Sequence, residues 1–287
     1  MLEIRSNAKI NLGLKVLNKR KDGYHNLHSL FLPITLFDRL EFRHNDEITV
    51  TTTIDDFVPQ ELNLCYKAAK ALQRFTGTNQ GVYIHCEKVI PMGAGLGGGS
   101  ANAGTTLLAL KTLWNIDISM KELLSIAVTL GSDVPFFLHN TPTIVGGKGD
   151  ELTVFPMKEF PYSILLVNPG IHSPTVSAFK SLGRTERFSA DIPDYNDFLH
   201  YGSFELFSSK YSLENDFEPI LFAEFPILEE IKKKLRSFGA NFSIMSGSGS
   251  TMLGLFSNNN DSELLQSAYQ YFRDIYPSTY IVHCILT

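Results

Sequence analysis

A glycine-rich stretch, residues 91–105, is the first part of the chain whose composition could do chemistry. Six of the 21 glycines lie between Gly93 and Gly104. Glycine loses the most backbone freedom on folding, so this density is typical of a backbone that must approach a ligand closely. An alternating, strand-like segment precedes the loop at residues 82–87, and apolar residues at helical spacing follow it at 100–114. Strand, loop and helix N-terminus together predict an anion site suited to phosphate.

Two common phosphate loops can be compared with this stretch. The Walker A pattern is absent, because no Gly-Lys pair is followed by Ser or Thr. Gly93, Gly95 and Gly98 match the dinucleotide fingerprint formally. That fingerprint requires an apolar parallel strand before it and an acidic residue at a strand end about 20 positions later. Here the preceding strand alternates, and the acidic residue, Asp117, is predicted in a loop, so a dinucleotide site is disfavoured.

Composition limits the remaining classes of function. The chain has 287 residues, a net charge of −5 and no basic run, so no nucleic-acid partner is expected. No apolar run reaches the roughly 18–20 residues of a membrane span, and the N-terminus lacks a signal peptide's pattern. Cys65, Cys86 and Cys284 offer neither a metal pattern nor a disulfide framework, which favours a reducing, cytoplasmic location.

The elements that must position the loop follow from periodicity. Strands are predicted at residues 2–17, 24–36, 38–42, 48–54, 163–167, 242–245, 251–256 and 280–286, with an extended run at 136–145. Helices are predicted at residues 62–76, 119–130, 175–182, 194–207, 226–238 and 262–275. The second half mixes strands and helices without regular alternation, so the predicted fold class is α+β. Glycines at residues 146–149 suggest a boundary between two domains, 1–152 and 153–287.

Longer motifs identify a family resemblance. The string PMGAGLGGGSANAG resembles the phosphate-binding motif of the galactokinase, homoserine kinase, mevalonate kinase and phosphomevalonate kinase (GHMP) superfamily. Ala8-Lys9-Ile10-Asn11-Leu12 and the Ser246–Thr251 turn resemble its other two signatures, in the expected order. The resemblance implies a two-domain GHMP kinase fold. Its N-terminal ATP-binding domain is of the ribosomal protein S5 domain 2 type, its C-terminal domain is ferredoxin-like, and the active site lies between them.

Two further segments narrow the resemblance. DGYHNLHS (residues 22–29) and LGSDVPFF (residues 130–137) are similar to the superfamily members that phosphorylate a cytidine-diphosphate-linked methylerythritol. Two positions depart from the family pattern: Asn7 replaces a proline, and Ala101 replaces a serine. A homoserine or mevalonate kinase would keep the glycine loop but lack the Tyr24-His25 pair. A catalytically silent nucleotide-binding protein is the non-enzyme alternative.

Lys9 and Asp133 align with the family's catalytic pair. By itself, Lys9 reads as a solvent-facing strand residue, and Asp133 as a helix N-cap before Val134 and Pro135. The resemblance instead implies that Asp133 accepts the proton of the acceptor hydroxyl, and that Lys9 stabilises the charge of the transferring phosphoryl group.

The resemblance also implies residues for the acceptor substrate. Tyr24 would stack on the cytosine, His25 would bind the base edge, and Phe179 would cover the opposite face. Stacking on a base is worth roughly 1–3 kcal/mol in nucleic-acid complexes, so such a clamp could supply selectivity. Thr175 and Asn11 would contact the methylerythritol end. The plainer readings are a rim aromatic for Tyr24, a surface histidine for His25 and helix core for Phe179.

ATP and Mg²⁺ are the expected cosubstrate and ion. Asn63 resembles the adenine-contacting position, although it also fits a helix N-cap, and Gly247 and Gly249 would support the ligands. The residues expected to hold the nucleotide in the glycine loop are Pro91, Met92, Gly93, Ala94, Gly95, Leu96, Gly97, Gly98, Gly99, Ser100, Ala101 and Asn102. No carboxylate cage for a metal is visible, so phosphates and water would carry Mg²⁺. The expected assembly is a monomer or weak homodimer.

Overall fold

The computed structural model describes all residues except 55–58, 173–177, 180, 181, 183–191, 202–206, 208, 209, 212, 259–261 and 287. The chain forms two compact units. Unit 1 comprises Met1–Ala8, Leu36–Met92 and Gly97–Asn140, and unit 2 comprises Lys9–Thr35, Gly93–Leu96 and Thr141–Thr287. Each unit is discontinuous in sequence, whereas the sequence suggested one cut after residue 152. That cut stays a prediction.

Two long strands begin the chain, β1 (Leu2–Lys19) and β2 (His25–Asn45). A turn at Asp22-Gly23 joins them, with Gly23 at a φ of 87°. Two strands, 24–36 and 38–42, were predicted where the structure has the single strand β2 of 21 residues. The polar Asp38 does not interrupt it, because its buried carboxylate receives hydrogen bonds from the backbone that precedes the glycine loop.

Unit 1 packs helices on a short mixed sheet. Its further elements are β3 (Ile48–Thr52), α1 (Leu64–Thr76), β4 (Gly81–Glu87), α2 (Gly98–Leu113), α3 (Met120–Leu130) and α4 (Val134–His139). Strand β4 pairs with the end of β2 in antiparallel fashion and with β3 in parallel. Leu72, Leu107 and Leu123 from the first three helices share one buried core with Phe42 and Ile84. The core therefore fixes the point at which α2 leaves the glycine loop.

The elements around Asp133 differ from the sequence prediction. A capping box begins α3 within the helix predicted at 119–130, with Ser119 accepting from the backbone N–H of Glu122. The predicted extended run at 136–145 is wrong over its first part, because α4 continues to His139, and a strand begins at Thr143. Pro135 in the first turn favours a helix start. A short apolar run such as Phe136-Phe137-Leu138 cannot be told from a strand by periodicity.

Unit 2 contains two groups of strands. Strands β5 (Thr143–Gly146) and β6 (Glu151–Val154) extend the first part of β2, whose residues 29–31 pair with β5. The others are β7 (Tyr162–Asn168), β8 (Phe242–Met245), β9 (Met252–Ser257) and β10 (Ser278–Val282), which form an antiparallel sheet in the order β10-β7-β9-β8.

Helices complete the second sheet. The described ones are α5 (Asn196–Tyr201), α6 (Glu218–Glu224), α7 (Pro226–Ser237) and α8 (Ser262–Ile275). Helices α7 and α8 place Leu228, Leu235 and Phe272 in one core with Leu165 and Phe256 of the sheet. With β7 to β10 they follow the β-α-β-β-α-β order of a ferredoxin-like unit. Most of the helix predicted at 175–182 lies outside the described residues. No described helix is long and apolar enough to cross a membrane.

Candidate active site

Lys9 is a buried cation in the middle of β1. Only 3% of its surface is exposed, so the reading as a solvent-facing residue is wrong. Its Nζ donates to the Oδ1 atom of Asn11 at 2.5 Å and lies 4.4 Å from the centre of the Phe31 ring. Burying an ammonium is costly unless polar groups surround it. Lys9 is buried and bonded to Asn11, so its positive charge is held at a fixed position.

Asn11 orients that ammonium group. Its side chain is buried, and its Nδ2 atom donates to Ser29 Oγ at 2.9 Å. Ser29 Oγ in turn donates to the carbonyl of Gly13 at 2.6 Å. The amide of Asn11 therefore has a defined orientation, with its oxygen towards Lys9. The contact of Asn11 with substrate stays a prediction.

The first half of the glycine loop belongs to unit 2. Gly95 has a φ of +75°, and a Cβ there would lie 2.0 Å from the carbonyl oxygen of Ser246. The hydroxyl of Ser246 donates to the Gly95 carbonyl at 3.0 Å. The backbone N–H of Lys9 donates to the carbonyl of Leu96, also at 3.0 Å. Only glycine fits at 95, because both its φ and the contact with Ser246 exclude a side chain.

The second half of the loop begins helix α2 in unit 1. Gly97 is the N-cap residue at a φ of 70°, and it offers no side chain to the first turn of the helix. The first N–H groups of a helix have no intrahelical partners, so this end presents donors and a positive dipole to an anion. A Cβ at Gly98 would lie 2.9 Å from Ile90 and 3.1 Å from Lys88 Nζ. The predicted helix N-terminus at the loop is therefore present.

Several predicted nucleotide contacts are apolar side chains. Ala94, Leu96 and Ala101 are buried, whereas Met92 is exposed. Any contact of the three buried residues with a nucleotide would come from their backbone. Asn102 is also buried, and its side chain points to Asp38.

Asp38 is a structural residue of the loop that sequence reasoning missed. It is completely buried, and its Oδ1 atom accepts from the N–H groups of Val89 and Ile90 at 2.7 and 2.8 Å. Its Oδ2 atom lies 2.9 Å from both Asn102 Nδ2 and Lys88 Nζ. Asp38 thus ties the strand side of the loop to its helix side. The sequence does contain a sign of this role: Asp38 occupies an inward-facing position of β2, in alternation with the apolar residues Leu36 and Leu40.

Asp133 immediately precedes helix α4. It occupies the N-cap position, but its side chain makes no capping hydrogen bond among the described residues. Asp133 therefore stands at the N-cap position that the plain reading predicted, without a side-chain hydrogen bond to the first turn of the helix. Asn63, by contrast, is a true N-cap, since its Oδ1 atom accepts from the N–H of Cys65 at 2.8 Å. Its adenine contact stays a prediction compatible with that role.

The aromatic residues predicted to hold the base lie in unit 2. Tyr24 is 60% exposed, and Lys148 Nζ lies 5.5 Å from its ring centre. The rings of His25 and Phe179 are stacked at 5.6 Å with an angle of 17°. Phe179 also packs edge-on against Phe217 at 4.9 Å. One face of the Phe179 ring is thus covered by His25. The stacking of Tyr24 and Phe179 on opposite faces of the cytosine stays a prediction.

Two predicted contacts complete the set. Thr175 lies outside the described residues. Gly247 lies beside the glycine loop, since a Cβ at this position would be 3.0 Å from the Gly95 carbonyl oxygen and 3.3 Å from Asn11 Oδ1. The third signature thus contacts the first half of the loop and the strand that carries Lys9.

Family models match both halves of the chain. The model of the GHMP kinases N terminal domain matches residues 63–141, and the model of the GHMP kinases C terminal domain matches residues 199–274. Together they cover more than half of the chain, so fold and glycine loop define a GHMP kinase. The predicted superfamily and α+β fold are confirmed, and ATP use follows from this membership. The dinucleotide alternative is not supported.

Named relatives define the narrower family. The chain is 40% identical to the 4-diphosphocytidyl-2-C-methyl-D-erythritol kinase of Prosthecochloris aestuarii, over 91% of each chain. It is also 40% identical to that of Thermodesulfovibrio yellowstonii, over 95% of this chain and 94% of the relative. A crystal structure of 4-(cytidine 5'-diphospho)-2C-methyl-D-erythritol kinase shares 33% identity and a TM-score of 0.81 over 99% of each chain. The chain belongs to the 4-diphosphocytidyl-2-C-methyl-D-erythritol kinases.

A more distant structure shows the fold alone. Homoserine kinase from Cytophaga hutchinsonii has a TM-score of 0.72 at 18% identity, over 99% of this chain and 97% of its own. The predicted assignment to a phosphotransferase is confirmed by the family. The homoserine-type alternative is not favoured.

Proposed function

We propose that this chain transfers the γ-phosphoryl group of ATP to the 2-hydroxyl of 4-diphosphocytidyl-2-C-methyl-D-erythritol, yielding the 2-phosphate and ADP. This step belongs to the non-mevalonate route to isoprenoids. The observation that carries the proposal is the 40% identity to named kinases of this substrate over more than nine tenths of the chain. The substrate is accordingly a small molecule, and no nucleic-acid partner is proposed.

The proposed mechanism is direct transfer. Phosphoryl transfer depends mainly on positioning and on stabilising charge, because the protein has little covalent chemistry to perform. Asp133 accepts the proton of the attacking hydroxyl, a role supported by the match of LGSDVPFF to the family's catalytic segment. Lys9 stabilises the charge on the transferring group, a role supported by its burial and its bond to Asn11.

The phosphates of ATP would bind along the glycine loop. The uncapped start of α2, behind Gly97 and Gly98, supplies N–H donors for an anion. Ser100 lies in the first turn of that helix and adds a hydroxyl. Asn102 would support the loop without contacting the phosphates through its side chain, because that side chain donates to Asp38.

Mg²⁺ is proposed as the ion that accompanies ATP. Within the described residues, no group of three His, Cys, Asp or Glu side chains could hold a metal. We propose that the ion is held mainly by phosphates and water, as the reluctance of Mg²⁺ to dehydrate allows. The ion would neutralise phosphate charge.

We also propose a cellular location and an oligomeric state for the protein. Cys65, Cys86 and Cys284 are free thiols, which fits the cytoplasm. A monomer or weak homodimer is proposed, and sedimentation at two protein concentrations tests it.

The substitution Asp133→Asn tests the assignment of the base. The amide has the shape of the carboxylate but cannot accept the proton, so kcat should fall by roughly 10²–10⁴-fold. The affinity for ATP, measured by calorimetry, should stay within about threefold, since the change removes no phosphate donor. Asp117→Asn, in the exposed loop between α2 and α3, is the matched control. A kcat near that of the control would contradict the role of Asp133.

A further inference from the structure

Asn215 is a buried side chain in unit 2 that bridges both sides of Ser246. Only 1% of its surface is exposed. Its Nδ2 atom donates to the carbonyl of Met245 at 2.8 Å and to that of Gly247 at 2.7 Å. Its Oδ1 atom accepts from the N–H of Phe217 at 2.9 Å. Both donors and the acceptor of this amide are thus committed to backbone groups.

The segment around Asn215 is fixed to β1, the strand that carries Lys9. Leu14 donates its N–H to the carbonyl of Glu214 at 2.9 Å and accepts from the N–H of Asp216 at the same distance. The carboxylate of Asp216 accepts from the N–H of Val16 at 2.8 Å. Hydrogen bonds to β1 on both sides of Asn215 therefore hold its backbone in place.

The other end of the bridge is the turn that touches the candidate active site. Ser246 Oγ donates to the Gly95 carbonyl at 3.0 Å and accepts from the N–H of Asn11 at 3.3 Å. Asn11 Oδ1 accepts from Lys9 Nζ. Asn215 thus holds the backbone on both sides of Ser246, and the hydrogen bonds of Ser246 and Asn11 connect this turn to the glycine loop and to Lys9.

We propose that Asn215 is a positioning residue for phosphoryl transfer, acting through the Ser246-Gly247 turn on Gly95 and Lys9. This inference rests on the proposed function, since it gives Lys9 its role. Because its amide is buried and bonded to backbone groups, Asn215 would act on the ligands only through other residues. Its amide fixes the turn from behind, and the turn sets the positions of the loop carbonyl at 95 and of the Lys9 partner Asn11. A misplacement of about 1 Å can cost roughly 100-fold in rate.

The test replaces the amide by a carboxylate of the same shape. Asn215→Asp keeps an oxygen for the N–H of Phe217 but turns a second oxygen towards the carbonyls of Met245 and Gly247. Asn241→Asp is the matched control, because Asn241 Oδ1 also holds a backbone N–H, that of Ser257, and lies at the far end of β8. Both variants are assayed below their unfolding temperatures, with active sites counted by a bound non-hydrolysable ATP analogue.

The expected result is a fall in kcat per active site of roughly 100-fold for Asn215→Asp, with the KM of the cytidine substrate almost unchanged. Asn241→Asp should keep the wild-type kcat. A purely structural role would lower the number of active sites and leave kcat per site unchanged, and that outcome would overturn the proposal. Ser246→Ala removes the hydroxyl on the same path. Combined with Asn215→Asp, it should slow the reaction little further than either change alone.

Comparison with the wild type and with Lys9→Met distinguishes a failure of the proposed function from a failure of the inference about Asn215. If the wild type shows no turnover of the cytidine substrate, the proposed function itself fails. If Lys9→Met leaves kcat unchanged, the proposed role of Lys9 fails whatever Asn215 does. If Lys9→Met abolishes turnover but Asn215→Asp does not slow it, the inference about Asn215 alone fails. Should Asn215→Asp not fold, Ser246→Ala decides the matter, because full kcat in that variant contradicts the path through Ser246.

Discussion

At the scale of single residues, the candidate site depends on polar groups buried with satisfied partners. Lys9, Asp38 and Asn215 are each nearly inaccessible to solvent, and each has hydrogen-bond partners in the backbone or in a neighbouring side chain. Burying such groups costs free energy unless partners compensate. Their positions on β1, beside the glycine loop and behind the Ser246-Gly247 turn favour a site of fixed geometry.

A half-buried polar residue, His28, predicts a pH dependence of stability. Burial lowers the pKa of His28, opposed by the carbonyl of Pro193, 2.8 Å from Nε2, and by the charge of Asp194. The ring also stacks on Tyr195. Below the unfolded-state pKa of about 6.5, the unfolded chain binds more protons than the folded protein. The free energy of unfolding should therefore fall as the pH is lowered from 6.5 towards the folded-state pKa.

Urea denaturation between about pH 7.5 and 5.5 measures this effect. His28→Gln keeps a donor for Pro193 but does not titrate, so its free energy of unfolding should decline less steeply than that of the wild type. His139→Gln, in an exposed position at the end of α4, is the control and should follow the wild type. Parallel pH curves for the wild type and His28→Gln would contradict the predicted role of burial.

At the scale of elements, the glycine loop is shaped by what surrounds it. Its first half lies against the Ser246-Gly247 turn, and its second half is the uncapped start of α2. The strand before the loop is tied to α2 by Asp38. The density of glycine thus has two causes, positive φ angles and contacts too close for a side chain.

Two glycine substitutions separate these causes. Gly95 and Gly77 have similar φ angles of +75° and +72°, but a Cβ at Gly77 meets no described atom within 4 Å. Gly77→Ala should cost about 1–2 kcal/mol of the free energy of unfolding through backbone strain alone, and should leave kcat unchanged. Gly95→Ala should add the collision with Ser246 and lower kcat by roughly 100-fold.

Denaturation curves and initial rates on the two proteins check this prediction. Loss of stability in both variants with loss of activity in Gly95→Ala alone would support the close contact between loop and turn. Equal activities of Gly95→Ala and Gly77→Ala would show that the turn at Ser246 does not constrain the loop.

At the scale of the whole molecule, the α+β class could be predicted because periodicity and turn residues are local signals. The glycine loop and the capping box at Ser119 could be predicted for the same reason. The roles of Lys9 and Asp133 came from resemblance, since each residue alone favoured a plainer reading. Helix α4 was missed, because a short apolar run has no distinguishing period.

The supporting residues could not be predicted from local pattern. Asp38 bonds to Val89 and Asn102, which are 51 and 64 residues away, and Asn215 bonds to Gly247, 32 residues away. Such pairings depend on how distant segments pack. A single sequence shows that a polar residue lies among apolar ones, but it does not show which distant group that residue will bond to.

The central claim is that the chain phosphorylates a cytidine-diphosphate-linked methylerythritol. The most direct measurement is the initial rate of ADP release with ATP, Mg²⁺ and each of three acceptors: 4-diphosphocytidyl-2-C-methyl-D-erythritol, homoserine and mevalonate. The account predicts that kcat/KM for the cytidine substrate exceeds the other two values by at least about 100-fold, because a site that binds a base rejects acceptors lacking one. An equal or higher kcat/KM with homoserine or mevalonate would contradict it.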